Sequence, residues 1–351
     1  RRRPWFFESG GPGSGLYITH NGGDDWDRVT EAQGLPAGDL GRIGLSFAPS
    51  EPGTVYALVE ARRSALLRSR DWGGSWETVN DEEGLAPRPF YYADLFVDPA
   101  NELRIFNLHS GLMMSEDGGR NFREIAEGVH WDFHALWIHP RDPRLIYAGT
   151  DGGVYVTRDG GENWRMVDNL PLGQFYHVSV DMEIPFNVYG GMQDNGSWRG
   201  PSDLWATGGI RNHHWRALGF GDGFATVLDP GDPSRGFAMS QGGGLIRFDL
   251  RTGERKDIRP WAPEGEELRF NWNAPLALDP FHPGTLYYGS QFVHKTTNGG
   301  ESWEIISPDL TTDDPGKQRQ SESGGITPEA TGAENHTTLL TIAPSPVQEE
   351  L

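Results

Sequence analysis

Cysteine is absent from all 351 residues. That excludes disulfide staples, cysteine zinc sites and thiol catalysis, and is compatible with either a reducing or an oxidising compartment. Positive charge is scarce: 30 Lys and Arg stand against 50 Asp and Glu, a formal net charge of −20. Such a balance argues against nucleic acid as a partner, because phosphates need a basic face. It argues equally against docking on an anionic bilayer. No apolar run is long enough to insert in a membrane, and no charged-then-apolar start reads as a secretion signal. The first residues, Arg1-Arg2-Arg3-Pro4, stand in place of a methionine and read as a piece of a longer parent. A Walker loop, a GxGxxG after a strand, a GxSxG elbow and an HExxH helix are all missing. No segment sustains a helical period, and no cofactor is expected.

What the chain has in excess is turn residues and rings. Gly (48) and Pro (25) make about a fifth of the chain, beside 13 Trp, 17 Phe and 10 Tyr. So many aromatic rings supply a buried core, so the glycines punctuate turns in a folded, strand-rich protein.

One eight-residue box recurs: Ser/Thr, any, Asp/Asn, any, Gly, any, any, Trp/Phe. Its copies run from Thr19 to Trp26, Ser69 to Trp76, Ser115 to Phe122, Thr157 to Trp164 and Thr296 to Trp303. A second pattern, an apolar run into a proline turn and then an apolar pair ending in an aromatic, ends at Tyr56, Phe106, Tyr147, Tyr189, Phe237 and Tyr287. It fills the gap where the box has degenerated. Each unit then holds four short strands, A to D, the period of a propeller blade. The fold class expected is all-β, a propeller of four-stranded antiparallel blades. Six complete blades are expected at about 43–80, 91–127, 133–168, 175–218, 223–259 and 272–307. A seventh is expected split between 5–30 and 337–343, closing the ring and removing open edges. The alternative is a longer or tandem array. A long polar loop occupies 308–336.

The box is read as the C–D hairpin. Its hydroxyl and Asp/Asn side chains bond their own turn, its Gly supplies positive φ, and its aromatic packs between blades. Asp71, Asp117 and Asp159 are therefore structural, with Asn298 doing the same work in the last copy; Trp76, Phe122, Trp164 and Trp303 are the packing rings. These copies resemble the Asp-box, or BNR, repeat of sialidases, xyloglucanase-type glycoside hydrolases and sortilin/VPS10 receptors. The wider pattern most resembles bacterial VPS10/sortilin-like BNR proteins. The resemblance implies a secreted or periplasmic protein with further domains in the parent chain. For the xyloglucanases it implies two catalytic aspartates in a cleft between two propellers, and neither motif matches a position here. The three-arginine clamp of sialidases is also incomplete, since only Arg88 and Arg269 lie at suitable positions.

With the boxes at one end of each blade, a site falls to the D–A and B–C loops at the other. There the repeat gives way to polar and aromatic residues. Asp132, Asp194, Asp222 and Glu334 are the candidate catalytic carboxylates, two of which would need to face each other across a cleft. His130, His134, Asp151, Tyr176, His177, Gln193, Asn195, Arg269, Trp272 and His336 are the candidate ligand-binding residues. His130, Asp132 and His134 alternate along an expected strand and so share a face. They read as a hydrogen-bonded cluster in preference to a metal site, because no fourth ligand can be named. Two functions stand at this stage. One is a module binding glycan or peptide at this rim; the other is a glycoside hydrolase acting on a polysaccharide.

Overall fold

The computed structural model describes residues 1–170 and 172–349. Among them regular helix is confined to short 3-10 turns, and no helix is long and apolar enough to cross a membrane. The strands form six four-stranded antiparallel sheets, each made of four consecutive strands. Blade 1 comprises Ile43–Phe47, Val55–Val59, Ala65–Ser69 and Glu77–Asn80. Blade 2 comprises Asp94–Asp98, Asn101–Leu108, Leu112–Ser115 and Arg123–Glu124. Blade 3 comprises Phe133–Ile138, Ile146–Thr150, Gly153–Thr157 and Arg165–Met166. Blade 4 follows with Phe175–Val180, Asn187–Met192, Gly196–Pro201 and Arg216–Gly219. Blade 5 has Gly223–Asp229, Asp232–Ser240, Gly244–Asp249 and Arg255–Asp257. Blade 6 has Leu276–Leu278, Leu286–Gly289, Val293–Thr296 and Glu304–Ile305. This is the blade repeat of a β-propeller.

The chain divides into two compact units. The first is built from Arg1–Arg2, Phe7–Leu170 and Glu322–Glu329, and holds blades 1 to 3; the second holds blades 4 to 6 and the remainder. In each unit the core lies between successive blades. Leu58 and Leu66 of blade 1 pack with Leu95 and Ile105 of blade 2, and Phe106 and Leu112 of blade 2 with Leu136 and Ile146 of blade 3. In the second unit Phe224, Phe237 and Leu245 of blade 5 pack with Leu286 and Tyr288 of blade 6.

Successive blades meet closely at their first two strands, and two glycines show how closely. A Cβ on Gly191 of blade 4 would lie 2.0 Å from the Gly223 carbonyl carbon of blade 5. One on Gly44 of blade 1 would lie 1.6 Å from the Ala93 carbonyl oxygen ahead of blade 2. Backbone cannot swing aside as a side chain does, so Gly191→Ala is expected to cost about 1–3 kcal/mol of overpacking strain. A denaturant melt with unchanged slope and a lower midpoint would register it.

The N-terminal stretch behaves differently from a blade. Tyr17–Ile18 pairs with Asp27–Arg28 around the first box. Phe6–Ser9 pairs in parallel with Gly324–Gly325 through Glu8–Gly324 and Ser9–Gly325. Residues 337–343, expected as the inner strand of a seventh blade, carry no strand. The described strands therefore give six complete blades, and a seventh remains a proposal.

Every box sits between strands C and D and closes on itself in the same way. In blade 1 the Ser69 hydroxyl donates to Asp71 Oδ1 (2.7 Å) and accepts from the Gly73 amide (2.8 Å). Asp71 Oδ1 accepts from the Ser75 amide at 2.8 Å, and Oδ2 from its hydroxyl at 2.7 Å. The Ser115–Asp117–Asn121 and Thr157–Asp159–Asn163 copies repeat this pattern. So does Thr296–Asn298–Ser302, where the amide oxygen of Asn298 accepts the Thr296 hydroxyl and the Ser302 amide. Trp164 and Trp303 then reach the preceding blade, their indole N–H groups donating to the Ile125 and Ile258 carbonyls at 2.8 and 2.7 Å.

These bonds favour the ionised carboxylates. Ser75 above all, with Ser69, holds Asp71 down at about 2; Thr157 and Asn163 do the same for Asp159. In Asp117 the Asn121 and Ser115 bonds overcome a burial penalty to the same result. A depressed folded pKa means stability that is present above the unfolded value of about 4 and lost as pH falls through about 2. The Asp71→Asn, Asp117→Asn, Asp159→Asn triple variant is therefore expected to lose less stability than the native chain between pH 4 and pH 2. Parallel losses in thermal melts would contradict it.

The first-blade box carries Trp72 at φ 63°, where the other copies place Gly22, Gly118, Gly160 and Gly299 at φ between 66° and 79°. A left-handed L-residue costs roughly 1–2 kcal/mol. Trp72→Gly is expected to raise the melting temperature, offset in part by the lost contact of the ring with Gly53.

Candidate functional site

Within one antiparallel blade, the start of strand A and the B–C hairpin share an end, opposite the A–B and C–D turns. In blade 3 Phe133 pairs with Thr150, and the Asp151 amide donates to the Asp132 carbonyl at 3.2 Å. In blade 4 Phe175 pairs with Met192, and in blade 5 Gly223 pairs with Ser240. The boxes lie at the opposite end, as Thr157 pairs with Ile146 where strand B begins. In blade 3 the irregular polar residues and the box are therefore at opposite ends, and the loops of blades 4 and 5 leave from the end that corresponds to the polar one.

In the first unit the lead-in to blade 2 meets blade 3. The Tyr92 hydroxyl is hydrogen-bonded to Asp132; burial first, then this carboxylate, pushes the phenol well above its ordinary value. Its ring lies 5.1 Å from the His134 imidazole, centroid to centroid. His134 Nε2 is 3.1 Å from Asp151 Oδ1. Asp132 sits at φ 65°, a left-handed position that Asp tolerates better than most residues. Beside it Trp131 is 73% exposed and presents an indole face to solvent. Around the same lead-in, the Arg88 guanidinium lies 4.8 and 5.5 Å from the Tyr91 and Tyr92 rings and pairs with Glu329 at 2.6 Å.

In the second unit Asp222 joins three blades. It is 6% exposed. Its Oδ1 accepts the Asp194 amide of blade 4 and its Oδ2 accepts the Trp272 indole N–H ahead of blade 6, both at 2.7 Å. Its own amide donates to Gln241 Oε1 at 2.9 Å. Asp194 is held by this anchor at φ 56° in the B–C hairpin. Tyr176 stacks on Phe224 at 4.5 Å, and burial, aided by Asp222 and Asp194, pushes its phenol up to about 12. Around the hairpin, Gln174 Nε2 donates to Gln193 Oε1 at 3.1 Å and Asn195 Nδ2 to the Gln193 carbonyl at 2.8 Å. His177 pairs with the Asn273 side chain.

The sequence-expected residues divide sharply. Asp132, His134 and Asp151 come together in the first unit; Tyr176, Gln193, Asp194, Asn195, Asp222 and Trp272 come together in the second. The strand expected through 130–134 begins only at Phe133. His130 lies ahead of the strand, its Nδ1 3.1 Å from the Trp131 carbonyl and its ring packed on Gly152, so strict strand alternation does not set its place. Among the described residues no three His, Asp or Glu side chains gather as a metal would require. Glu334 is 2% exposed and accepts the Thr331 hydroxyl at 3.2 Å, away from solvent. Arg269 is taken up by Asp309 (2.6 Å) and Asp313 (3.1 Å) of the long loop. His336 lies edge-on to Trp5 at 5.5 Å. Tyr92 and Gln241, both in loops that depart from the repeat at this rim, prove to be partners of these carboxylates. Glu329 sits in a polar loop with no pattern to mark it.

No family model matches the chain. It is similar to an oligoxyloglucan-reducing end-specific xyloglucanase of Emericella nidulans, 26% identical over 187 residues, which are 45% of this chain and 22% of that protein. A xyloglucanase of Acetivibrio thermocellus is 22% identical over 345 residues, 80% of this chain and 39% of the relative. The VPS10 domain-containing receptor SorCS1 of Mus musculus is 27% identical over 131 residues, 36% of this chain and 11% of the receptor. The chain thus spans well under half the length of these relatives. Among solved structures, the GH74 enzyme of Niastella koreensis matches with a TM-score of 0.32 at 18% identity, covering 75% of this chain and 37% of that one. The fold assignment rests on the blades themselves.

Proposed function

We propose that the chain is the glycan-engaging part of a glycoside hydrolase acting outside the cytoplasm on a polysaccharide of the xyloglucan class. The observation that carries this is the Asp222 anchor. A buried carboxylate with both oxygens engaged is a positioning group, and what it positions is Asp194, a second carboxylate in a left-handed hairpin beside Tyr176. Strain held by surrounding structure is characteristic of working sites. In this reading Asp194 supplies one of the two carboxyl groups that glycoside hydrolysis needs, acting at the glycosidic oxygen or at the attacking water. Asp222 is removed from the catalytic candidates and becomes the positioning residue. Separately, on the first unit, Asp132, His134 and Asp151 with Trp131 beside them form a sugar-binding surface of their own: carboxylates and imidazole take hydroxyl hydrogen bonds, and the ring face takes the apolar side of a pyranose. The similarity to xyloglucanases supports the substrate class; no cofactor enters the chemistry.

The competing reading is a module that binds glycan or peptide without cleaving it, and the likeness to VPS10 receptors supports it. A panel of soluble polysaccharides separates the two. Release of new reducing ends from xyloglucan, lost in Asp194→Asn, is the expected result. Retarded migration of the chain in xyloglucan gels without reducing ends would favour the binding module. The absence of both cleavage and retardation would refute the glycan reading.

A further inference from the structure

The segment Glu322–Glu329 belongs to the first unit. Gly324 and Gly325, at φ 120° and 80°, make the two-residue parallel bridge to Glu8 and Ser9. The Phe7 amide donates to Ser323 Oγ at 3.5 Å. The segment ends at Glu329, whose Oε1 takes the Arg88 Nε–H at 2.6 Å. The Glu329 side chain is 8% exposed, and its Oε2 is buried with no hydrogen-bond partner. Burying a carboxylate with one oxygen unsatisfied is costly, so the pair is a poor device for stability alone.

Arg88 shows the complementary defect. Its Nε is engaged, while its two Nη groups make no hydrogen bond among the described residues. The guanidinium lies over the Tyr91 and Tyr92 rings, 4.8 and 5.5 Å from their centroids, and the side chain is a third exposed. A guanidinium set over aromatic rings with its fork unused fits the two oxygens of a carboxylate. Here a carboxylate of the chain itself reaches it with one oxygen only.

We infer that Arg88, walled by Tyr91 and Tyr92, is a carboxylate-binding subsite for a uronic acid residue of a glycan, and that Glu329 occupies it as a tethered competitor. The inference rests on the glycan reading above. Tyr92 joins the subsite to Asp132, next to the exposed Trp131 face. A net charge of −20 repels a run of uronates at long range. The subsite therefore suits an isolated uronate on an otherwise neutral glycan.

The test titrates the whole chain with methyl β-D-glucuronide and, in parallel, methyl β-D-glucoside. Glu329→Gln, which keeps the shape and removes the charge, is expected to tighten glucuronide binding about tenfold, since it weakens an internal competitor of high effective concentration. The glucoside is expected to show no change, and adding Arg88→Gln is expected to abolish the gain. Unchanged glucuronide affinity, or an equal gain for the glucoside, would overturn the proposal. N-acetylglycine binding as tightly as the glucuronide would overturn the uronate assignment in favour of a peptide carboxylate. Should Glu329→Gln fail to fold, amide exchange in the native chain decides: glucuronide should speed exchange across 322–329 and the glucoside should not, and no difference between them would overturn the proposal. Failure of the hydrolase reading is separately visible, as loss of xyloglucan cleavage and retardation with the Arg88-dependent glucuronide response intact.

Discussion

Asp194→Asn is expected to lower polysaccharide cleavage about 10³-fold, the range for removing one proton-transferring group, while the melting temperature moves little. The two halves of that expectation have separate physical origins. The loss follows from the carboxyl group, since an amide cannot accept or deliver a proton near neutral pH. The retained stability follows from the backbone. Asp194 is anchored through its amide to Asp222 Oδ1, a bond the substitution does not touch. Asparagine tolerates φ 56° at least as well as aspartate, which is why it is the informative replacement and alanine is not. Reducing-end assays and a thermal melt on the same preparation read both quantities. Full cleavage by the variant would remove Asp194 from the chemistry.

Asp222→Ala is expected to behave in the opposite way, with stability and function falling together. Two donors from different blades, the Asp194 amide and the Trp272 indole, converge on this one carboxylate, and the Gln241 side chain holds its backbone. Alanine leaves both donors without acceptors in a site where Asp222 is 6% exposed. At about 1.5–3 kcal/mol for a hydrogen bond to a charged group, loss of the two should lower unfolding free energy by roughly 2–4 kcal/mol, because some bonding to water is regained. The hairpin that presents Asp194 loses its anchor at the same time. Asp222→Asn keeps one acceptor oxygen and should fall between. A fully stable Asp222→Ala protein with only its cleavage lost would make Asp222 a reacting group and reverse the roles assigned to the pair.

Much of the fold was legible because a repeat states its constraints several times over. The box dictates its own hydrogen-bond cage in each copy, and Asn298 shows that an amide suffices where no acid chemistry is needed. The proline turns separate strands A and B for the same local reason. What was not legible depends on contacts between distant segments. Asp222 and Asp194 look alike as carboxylates in irregular loops, and only the arrival of Trp272 from fifty residues away makes one a support and the other a candidate acid or base. Glu334 sits in a polar loop yet is buried, and Arg269 is consumed by that loop's own aspartates. His130 failed for a local reason: the left-handed turn at Asp132 starts the strand later than simple alternation allows.

Ligand engaged at the D–A and B–C end of the blades, with the boxes only holding the turns, can be read by amide hydrogen exchange with and without xyloglucan oligosaccharides. Protection by ligand is expected to concentrate in 131–134, 151–153, 174–177 and 193–196. Protection confined to the box turns at 71–75, 117–121 and 159–163 would contradict it.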